Sequence, residues 1–306
     1  MPVSRREFTR AGLAMAALSA GGVPSFALAK TKLIARAIPS SGERIPIIGV
    51  GTNRYGVGDD LELRQPLREA LRKFHELGGT VIDTAPQYRS SEAVLGELID
   101  ELGIGDDIFM ATKIDQETRG GNEARLQRSI SLLEFPSIDL MQCHNLIGWK
   151  TAIPQMHDWK TAKRIRYVGI TTSRQNQYEL METIMKSHEL DFVQINYSLA
   201  DQRESAERLL PLAADRGMAV LINRPFGGGN VFAKLAKTPL PEWAAEFDCA
   251  SWGQFLLKYA LSHPAATCAI PGMTKVRHVE DNMTAATGRM PDKDLRRRQE
   301  KFFDAL

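Results

Sequence analysis

Three titratable side chains close apolar, strand-like runs in this sequence. Gly79-Thr80-Val81-Ile82 ends at Asp83, Met110-Ala111-Thr112 ends at Lys113, and Ile138 to Cys143 ends at His144. A fourth, Tyr88, follows Asp83 across the loop Thr84-Ala85-Pro86-Gln87. An acid in a buried run is costly unless a cation meets it, and Lys113 is the candidate. An ammonium beside a phenol, whose ordinary pKa is about 10, favours the phenolate. His144 has the hydrogen-bonding capacity to orient a substrate oxygen. Together the four suit a carbonyl: Tyr88 gives a proton as hydride reaches the carbonyl carbon. Taken singly, each has a plainer reading. Asp83 caps a turn, Tyr88 sits on a rim, Lys113 is solvated at a strand end, and His144 is satisfied in a buried strand. Their equivalent placement is what argues for a site.

Such placement needs a scaffold. Ile47 to Thr52, Thr80 to Asp83, Ile108 to Lys113, Ile138 to His144, Tyr167 to Thr171, Phe192 to Asn196, Ala219 to Pro225 and Thr267 to Pro271 read as strands. Between them, Gln65 to Leu77, Ser90 to Leu102, Asn122 to Leu133, Asp158 to Lys163, Gln177 to Ser187, Ser205 to Arg216 and Ser251 to Ser262 read as helices; Val276 to Ala286 and Lys293 to Phe303 close the chain. Alternation of this kind predicts an α/β fold, a (β/α)8 TIM barrel, whose strand ends converge on one mouth. An N-terminal β-hairpin, Leu33 to Ile38 with Glu43 to Ile45, precedes it. Gly49-Val50-Gly51 lacks the third glycine of a dinucleotide fingerprint, which excludes a doubly wound sheet.

The chain has 306 residues, 43% hydrophobic and 25% charged, as in a globular protein. Residues 1–29 open with Ser4-Arg5-Arg6-Glu7-Phe8, continue through an apolar run from Ala11 to Val23, and end in Ala27-Leu28-Ala29. This is similar to a twin-arginine signal peptide with a peptidase site. It predicts export by the twin-arginine machinery, a periplasmic location and a mature barrel over 30–306. The apolar run is too short for a stable membrane anchor. Outside this segment 36 basic side chains face 36 acidic ones, so no charge excess points to nucleic acid. Cys143, Cys249 and Cys268 lack metal-ligand spacing, no clustered histidine and carboxylate set suggests a metal, and strand alternation turns Cys143 away from the mouth.

Short motifs then recur in order: Ile-Pro-Ile-Ile-Gly-Val-Gly-Thr at 45–52, Ile-Asp-Thr-Ala-x-x-Tyr at 82–88, Ser-Glu-x-x-Leu-Gly at 91–96, Ala-Thr-Lys at 111–113, Asp-Leu-Met-Gln-Cys-His at 139–144, Ile-Arg-Tyr-Val-Gly-Ile at 165–170, Gln-Ile-Asn-Tyr at 194–197 and Ile-Pro-Gly-Met at 270–273. In these the chain resembles the aldo-keto reductase family from Ile45 to Asn282. The resemblance implies NADP(H) extended across the mouth and a tetrad of Asp83, Tyr88, Lys113 and His144 with Tyr88 as general acid. It implies cofactor contacts at Gly51, Thr52, Thr171, Thr172, Gln194, Thr274, Lys275, His278 and Asn282, and Arg224 joins them by its chemistry, with a planar guanidinium able to stack or to contact phosphate.

Departures from the family pattern are specific. Thr171-Thr172 stands where Ser-Asn usually holds the nicotinamide amide. Ile222-Asn223-Arg224-Pro225-Phe226 has no tyrosine to stack on the ring. Gly227-Gly228-Gly229 either brings backbone N–H groups to a pyrophosphate or is a flexible loop. Tyr55 and Trp149 follow the first and fourth strands and are placed as walls of a substrate pocket. The expected activity is NADPH-dependent reduction of a small-molecule aldehyde or ketone. The altered nicotinamide shell keeps open an alternative, a nucleotide-binding barrel of weak turnover that acts as a sensor.

Overall fold

The computed structural model describes residues 33–201 and 203–306. The export signal read in residues 1–29 lies outside the described residues. β1 (Ala35–Ala37) and β2 (Arg44–Pro46) pair antiparallel, with Ala35 opposite Pro46, as the expected hairpin.

Eight parallel strands follow in chain order around one sheet: β3 (Val50–Gly51), β4 (Val81–Asp83), β5 (Phe109–Ile114), β6 (Ile138–His144), β7 (Ile165–Thr171), β8 (Phe192–Asn196), β9 (Ala219–Asn223) and β10 (Cys268–Ala269). The ring closes where Ile48 pairs with Ala269 and Gly51 with Gly272. Gly49 N donates to Ala269 O at 2.9 Å and Gly51 N to Pro271 O at 3.0 Å across that seam. The (β/α)8 barrel read from the sequence is the observed fold.

Successive side chains of a strand face opposite ways, and the barrel sorts them by chemistry. Val81, Phe109, Ala111, Leu140, Phe192, Leu221 and Ile270 face inward and pack together. Ile38 and Ile45 of the hairpin join them and close the amino end. Outward, Ile82, Met110, Met141, Val168, Val193 and Val220 pack with the helices. Burying each such side chain stabilises by roughly 1.5–3 kcal/mol, enough to make the apolar floor a firm support. Further along the same inward faces the layer turns polar: Asp83, Lys113, Gln142, Thr171, Gln194 and Asn223. Alternation therefore lifts every one of these onto the carboxyl mouth.

The helices are α1 (Leu61–Glu76), α2 (Ser91–Leu102), α3 (Arg119–Leu133), α4 (Trp149–Thr161), α5 (Tyr178–Ser187), α6 (Ser205–Asp215), α7 (Val231–Leu235), α8 (Trp252–Leu261), α9 (Val276–Thr284) and α10 (Lys293–Asp304). α1 begins before Gln65 because Asp60 Oδ1 caps it, accepting from Glu62 N and Leu63 N at 3.0 and 3.1 Å. α4 begins at Trp149, not Asp158, although Pro154 lies inside it. The connection after β9 holds α7 and a 3-10 turn over Glu242–Phe247, neither expected from the sequence.

Candidate active site

Strand register assembles the mouth. Gly51 pairs with Asp83, Lys113 with Gln142, His144 with Thr171, and Thr171 with Gln194. Lys113 Nζ donates to Asp83 Oδ2 at 2.7 Å and to Thr84 O at 2.6 Å. The other carboxylate oxygen, Oδ1, accepts from Gln142 Nε2 at 3.0 Å and Gln194 Nε2 at 2.8 Å. A buried carboxylate is thus met by one cation and two amides, which offsets its desolvation.

Tyr88 stands over this pair. Its backbone is held by a turn, Tyr88 N to Ala85 O at 2.9 Å and Ser91 N to Tyr88 O at 3.1 Å. Lys113 Nζ is 5.3 Å from the centre of the Tyr88 ring. The His144 ring lies 6.4 Å from the Tyr88 ring and perpendicular to it. All four predicted catalytic residues come together.

Their electrostatics differ from the sequence expectation in one respect. The Lys113 charge pulls the Tyr88 phenol down, but burial and the Asp83 carboxylate together outweigh it, and the phenol sits above its ordinary value. The phenolate bias expected from the ammonium is cancelled, first by burial of the phenol and then by the Asp83 carboxylate beside it. Burial pulls Lys113 down, yet Asp83 and then Tyr88 hold its ammonium above the ordinary range. His144 is pushed down to about 4, first by burial and then by Lys113, so its imidazole is neutral at neutral pH.

A cavity of about 890 Å³ opens over Asp83 and Tyr88, while Lys113 and His144 lie outside its lining. It runs from Asn53, Arg54 and Tyr88 across Asp83, Gln194 and Asn223 to Thr274, His278 and Asn282. Of the residues placed at the cofactor, Gly51, Thr52, Gln194, Arg224, Thr274, His278 and Asn282 line it. Thr171, Thr172 and Lys275 are not part of the lining. Thr171 Oγ1 donates to Gln194 Oε1 at 3.0 Å, and Thr172 Oγ1 to Gln177 Oε1 at 2.5 Å, so both hydroxyls are spent beneath the surface. Ser173 takes their place in the lining.

The two substrate-wall assignments are corrected. Tyr55 is fully buried, and its hydroxyl donates to Met273 O at 2.7 Å, tying the loop after β3 to the one after β10. Trp149 opens α4 and packs edge-on against His188, 5.4 Å between ring centres, away from the cavity lining. Cys143 is buried on the outer face of β6, its thiol pushed up to about 12 by burial. The glycine loop is built of left-handed turns: Gly227, Gly228 and Gly229 have φ of 55, 82 and 95°. Those values suit glycine. Gly227 N donates to Arg224 O and Gly229 N to Phe226 O, both at 2.9 Å. Two of the three N–H groups expected to face a pyrophosphate are therefore spent within the loop.

Several lining residues were not anticipated: Asn53, Arg54, Ser173, Asn223, Phe226 and Phe232. Gln142, beneath them on Asp83, was also missed. Gln142 and Asn223 had a signal, since Gln142 shares strand parity with His144, and Asn223 with the inward-facing Leu221.

A closed (β/α)8 barrel whose carboxyl mouth carries an Asp–Lys pair, a tyrosine and a histidine beneath an elongated cavity belongs to the barrel oxidoreductase class. The profile of the Aldo/keto reductase family matches residues 47–301, and the chain belongs to that family. It is 25% identical over 296 residues to L-galactose dehydrogenase of Arabidopsis thaliana, covering 84% of this chain and 89% of that protein. It is 26% identical over 245 residues to methylglyoxal reductase YeaE of Escherichia coli, covering 78% and 84%. The fold is similar to that of an aldo-keto reductase from Klebsiella pneumoniae in complex with NADPH, with a TM-score of 0.74 at 21% identity over 89% of this chain and 95% of that one.

Proposed function

We propose that this protein reduces aldehyde or ketone carbonyls with NADPH and that Tyr88 is the proton donor. The observation that carries the reading is the Tyr88 phenol, protonated and lining the cavity, above the buried Asp83–Lys113 pair and beside His144. The residues present fit NADP(H). The cavity extends well beyond Tyr88, and its far end at Thr274, His278 and Asn282 offers polar groups to a nucleotide. Membership of the family and the NADPH complex of the Klebsiella pneumoniae protein support this choice of cofactor.

NADPH, when bound, supplies hydride to the carbonyl carbon. This chain's residues do the rest. Tyr88 gives its hydroxyl proton to the carbonyl oxygen as negative charge develops there. The neutral His144 imidazole orients that oxygen by a hydrogen bond. Lys113, kept charged by Asp83, stabilises the Tyr88 phenolate left behind. A proton from solvent then restores Tyr88, and the alcohol leaves.

The experiment is to supply NADPH and a panel of aldehydes and ketones and to measure cofactor oxidation beside alcohol formation. One alcohol per NADPH consumed is the expected result. Tight NADPH binding without turnover on any substrate would favour the sensor reading, which the buried Thr172 and the missing aromatic at Asn223 motivate. No NADPH binding would overturn both.

The reading extends to location. Ser4-Arg5-Arg6-Glu7-Phe8 supports export of the folded chain to the periplasm by the twin-arginine pathway. Replacing Arg5 and Arg6 by lysine should retain the chain in the cytoplasmic fraction; unchanged fractionation would contradict export by this route.

A further inference from the structure

The polar layer of the mouth has a direction. Asp83 accepts only, so each amide bonded to it turns its NH2 group toward the carboxylate. Gln194 Nε2 donates to Asp83 Oδ1, which leaves Gln194 Oε1 facing outward. That oxygen accepts from Thr171 Oγ1 at 3.0 Å and faces Asn223 Nδ2 at 3.4 Å. Asn223 must therefore present its NH2 to Gln194 and its oxygen elsewhere. Because the chain of donors is anchored on an acceptor-only group, the orientations of Gln194 and Asn223 follow from chemistry.

The consequence is a set of unanswered acceptors. Asn223 Oδ1 is buried and has no donor among the described residues, and the same holds for Gln142 Oε1 and Asn196 Oδ1. Asn196 is the register partner of Asn223 on the neighbouring strand and spends its Nδ2 on Ser173 O at 2.8 Å. An unpaired buried acceptor is destabilising, and each calls for an explanation. Of the three residues, Asn223 lines the cavity, beside Asp83, Gln194 and Tyr88. What this part of the mouth lacks is a donor, and a ligand seated in the cavity is placed to bring it.

We propose that Asn223 Oδ1 accepts a hydrogen bond from the carboxamide NH2 of the nicotinamide and so positions the ring at its edge. The inference rests on the reading of this cavity as an NADPH site. A primary carboxamide is the part of that cofactor next to the reacting carbon, and it carries two N–H donors. Asn223 acts through the cofactor's position; it is a positioning residue and transfers no proton. In this chain, an amide contact in the ring plane takes the role that an aromatic face at this strand end would serve by stacking.

The test is a binding cycle that does not depend on turnover. NADPH and its 3-acetylpyridine analogue differ in that the analogue carries a methyl ketone with no N–H donor. Dissociation constants of both are measured by fluorescence or calorimetry for the full chain, for Asn223→Leu and for Asn223→Ser, which retains an acceptor. The unmodified chain should prefer NADPH by roughly tenfold, the scale of one hydrogen bond. Asn223→Leu should bring the preference close to one, and Asn223→Ser should keep part of it. A ratio unchanged by both variants would overturn the inference while leaving the NADPH site in place. The inference also fails if the variants weaken both ligands equally, as they would if water or a ribose hydroxyl answered Asn223. Failure of the unmodified chain to bind NADPH would instead sink the underlying reading and this inference with it.

Discussion

Lys113 Nζ lies 2.7 Å from Asp83 Oδ2, and neither side chain is more than 2% exposed. The pair spans the carboxyl ends of two adjacent strands, so barrel register sets its geometry. Removing one partner leaves the other charge buried and alone, which typically costs about 3–5 kcal/mol. Asp83→Asn should lower the unfolding free energy on that scale. It should also move the alkaline limb of the kcat profile to lower pH. Asp83 raises both the Lys113 ammonium and the Tyr88 phenol, so both lose protons earlier without it. Denaturant unfolding and a pH profile check the two effects; a stable variant with an unmoved limb would refute this role.

Gly56 touches no reacting group, yet it sets the place of Tyr88. A Cβ at Gly56 would lie 2.2 Å from Tyr88 O and 2.9 Å from Arg89 Cβ. Neither contact is tolerable, so Gly56→Ala must push the loop carrying Tyr88 outward. A misplacement of about 1 Å commonly costs around a hundredfold in rate. Gly56→Ala should therefore lower kcat by roughly ten- to a hundredfold while the NADPH dissociation constant stays within about threefold. Unchanged kcat in the folded variant would show that the loop does not fix the proton donor.

Two half-buried histidines make stability depend on pH. His144 and His263 are each pushed down to about 4 from 6.5, in both cases by burial first. Lys113 adds to the shift at His144, and Arg296 and Arg36 at His263. The folded pKa lies below the unfolded one, so the unfolded chain binds more protons between these limits, and acid favours it. Stability should fall as pH drops from about 6.5 to about 4 and gain no further loss from these groups below that. His263→Gln should flatten part of the fall and leave carbonyl reduction unchanged, as read by Tm against pH. An equal slope in the variant would contradict the assignment.

Much of this site was legible because charge in an apolar run is costly. Asp83, Lys113 and His144 stand out against Val81-Ile82, Met110-Ala111 and Leu140-Met141, and a common position at strand ends brings them together. Gln142 and Asn223 do not stand out in the sequence because uncharged amides carry no such cost, although parity with His144 and Leu221 places them inward. Tyr55 was read as a wall because sequence marks an aromatic after a strand without saying which way it turns; Met273 O draws it into the core. The start of α4, and with it the place of Trp149, differs for another reason. Pro154 denies α4 a hydrogen bond and crowds the preceding turn, so local propensity delays the helix until after it. Burial of Ala152, Ile153, Met156 and Trp159 on one face overrides that cost.

Proton donation by Tyr88 is the step on which the proposed reduction turns. Its most direct test is Tyr88→Phe, which keeps the ring beside His144 and Lys113 and removes only the hydroxyl. Single-turnover reduction of an aldehyde by enzyme-bound NADPH should slow by at least about a hundredfold, with the NADPH dissociation constant unchanged. A variant that reduces the aldehyde at the rate of the unmodified chain would contradict the account.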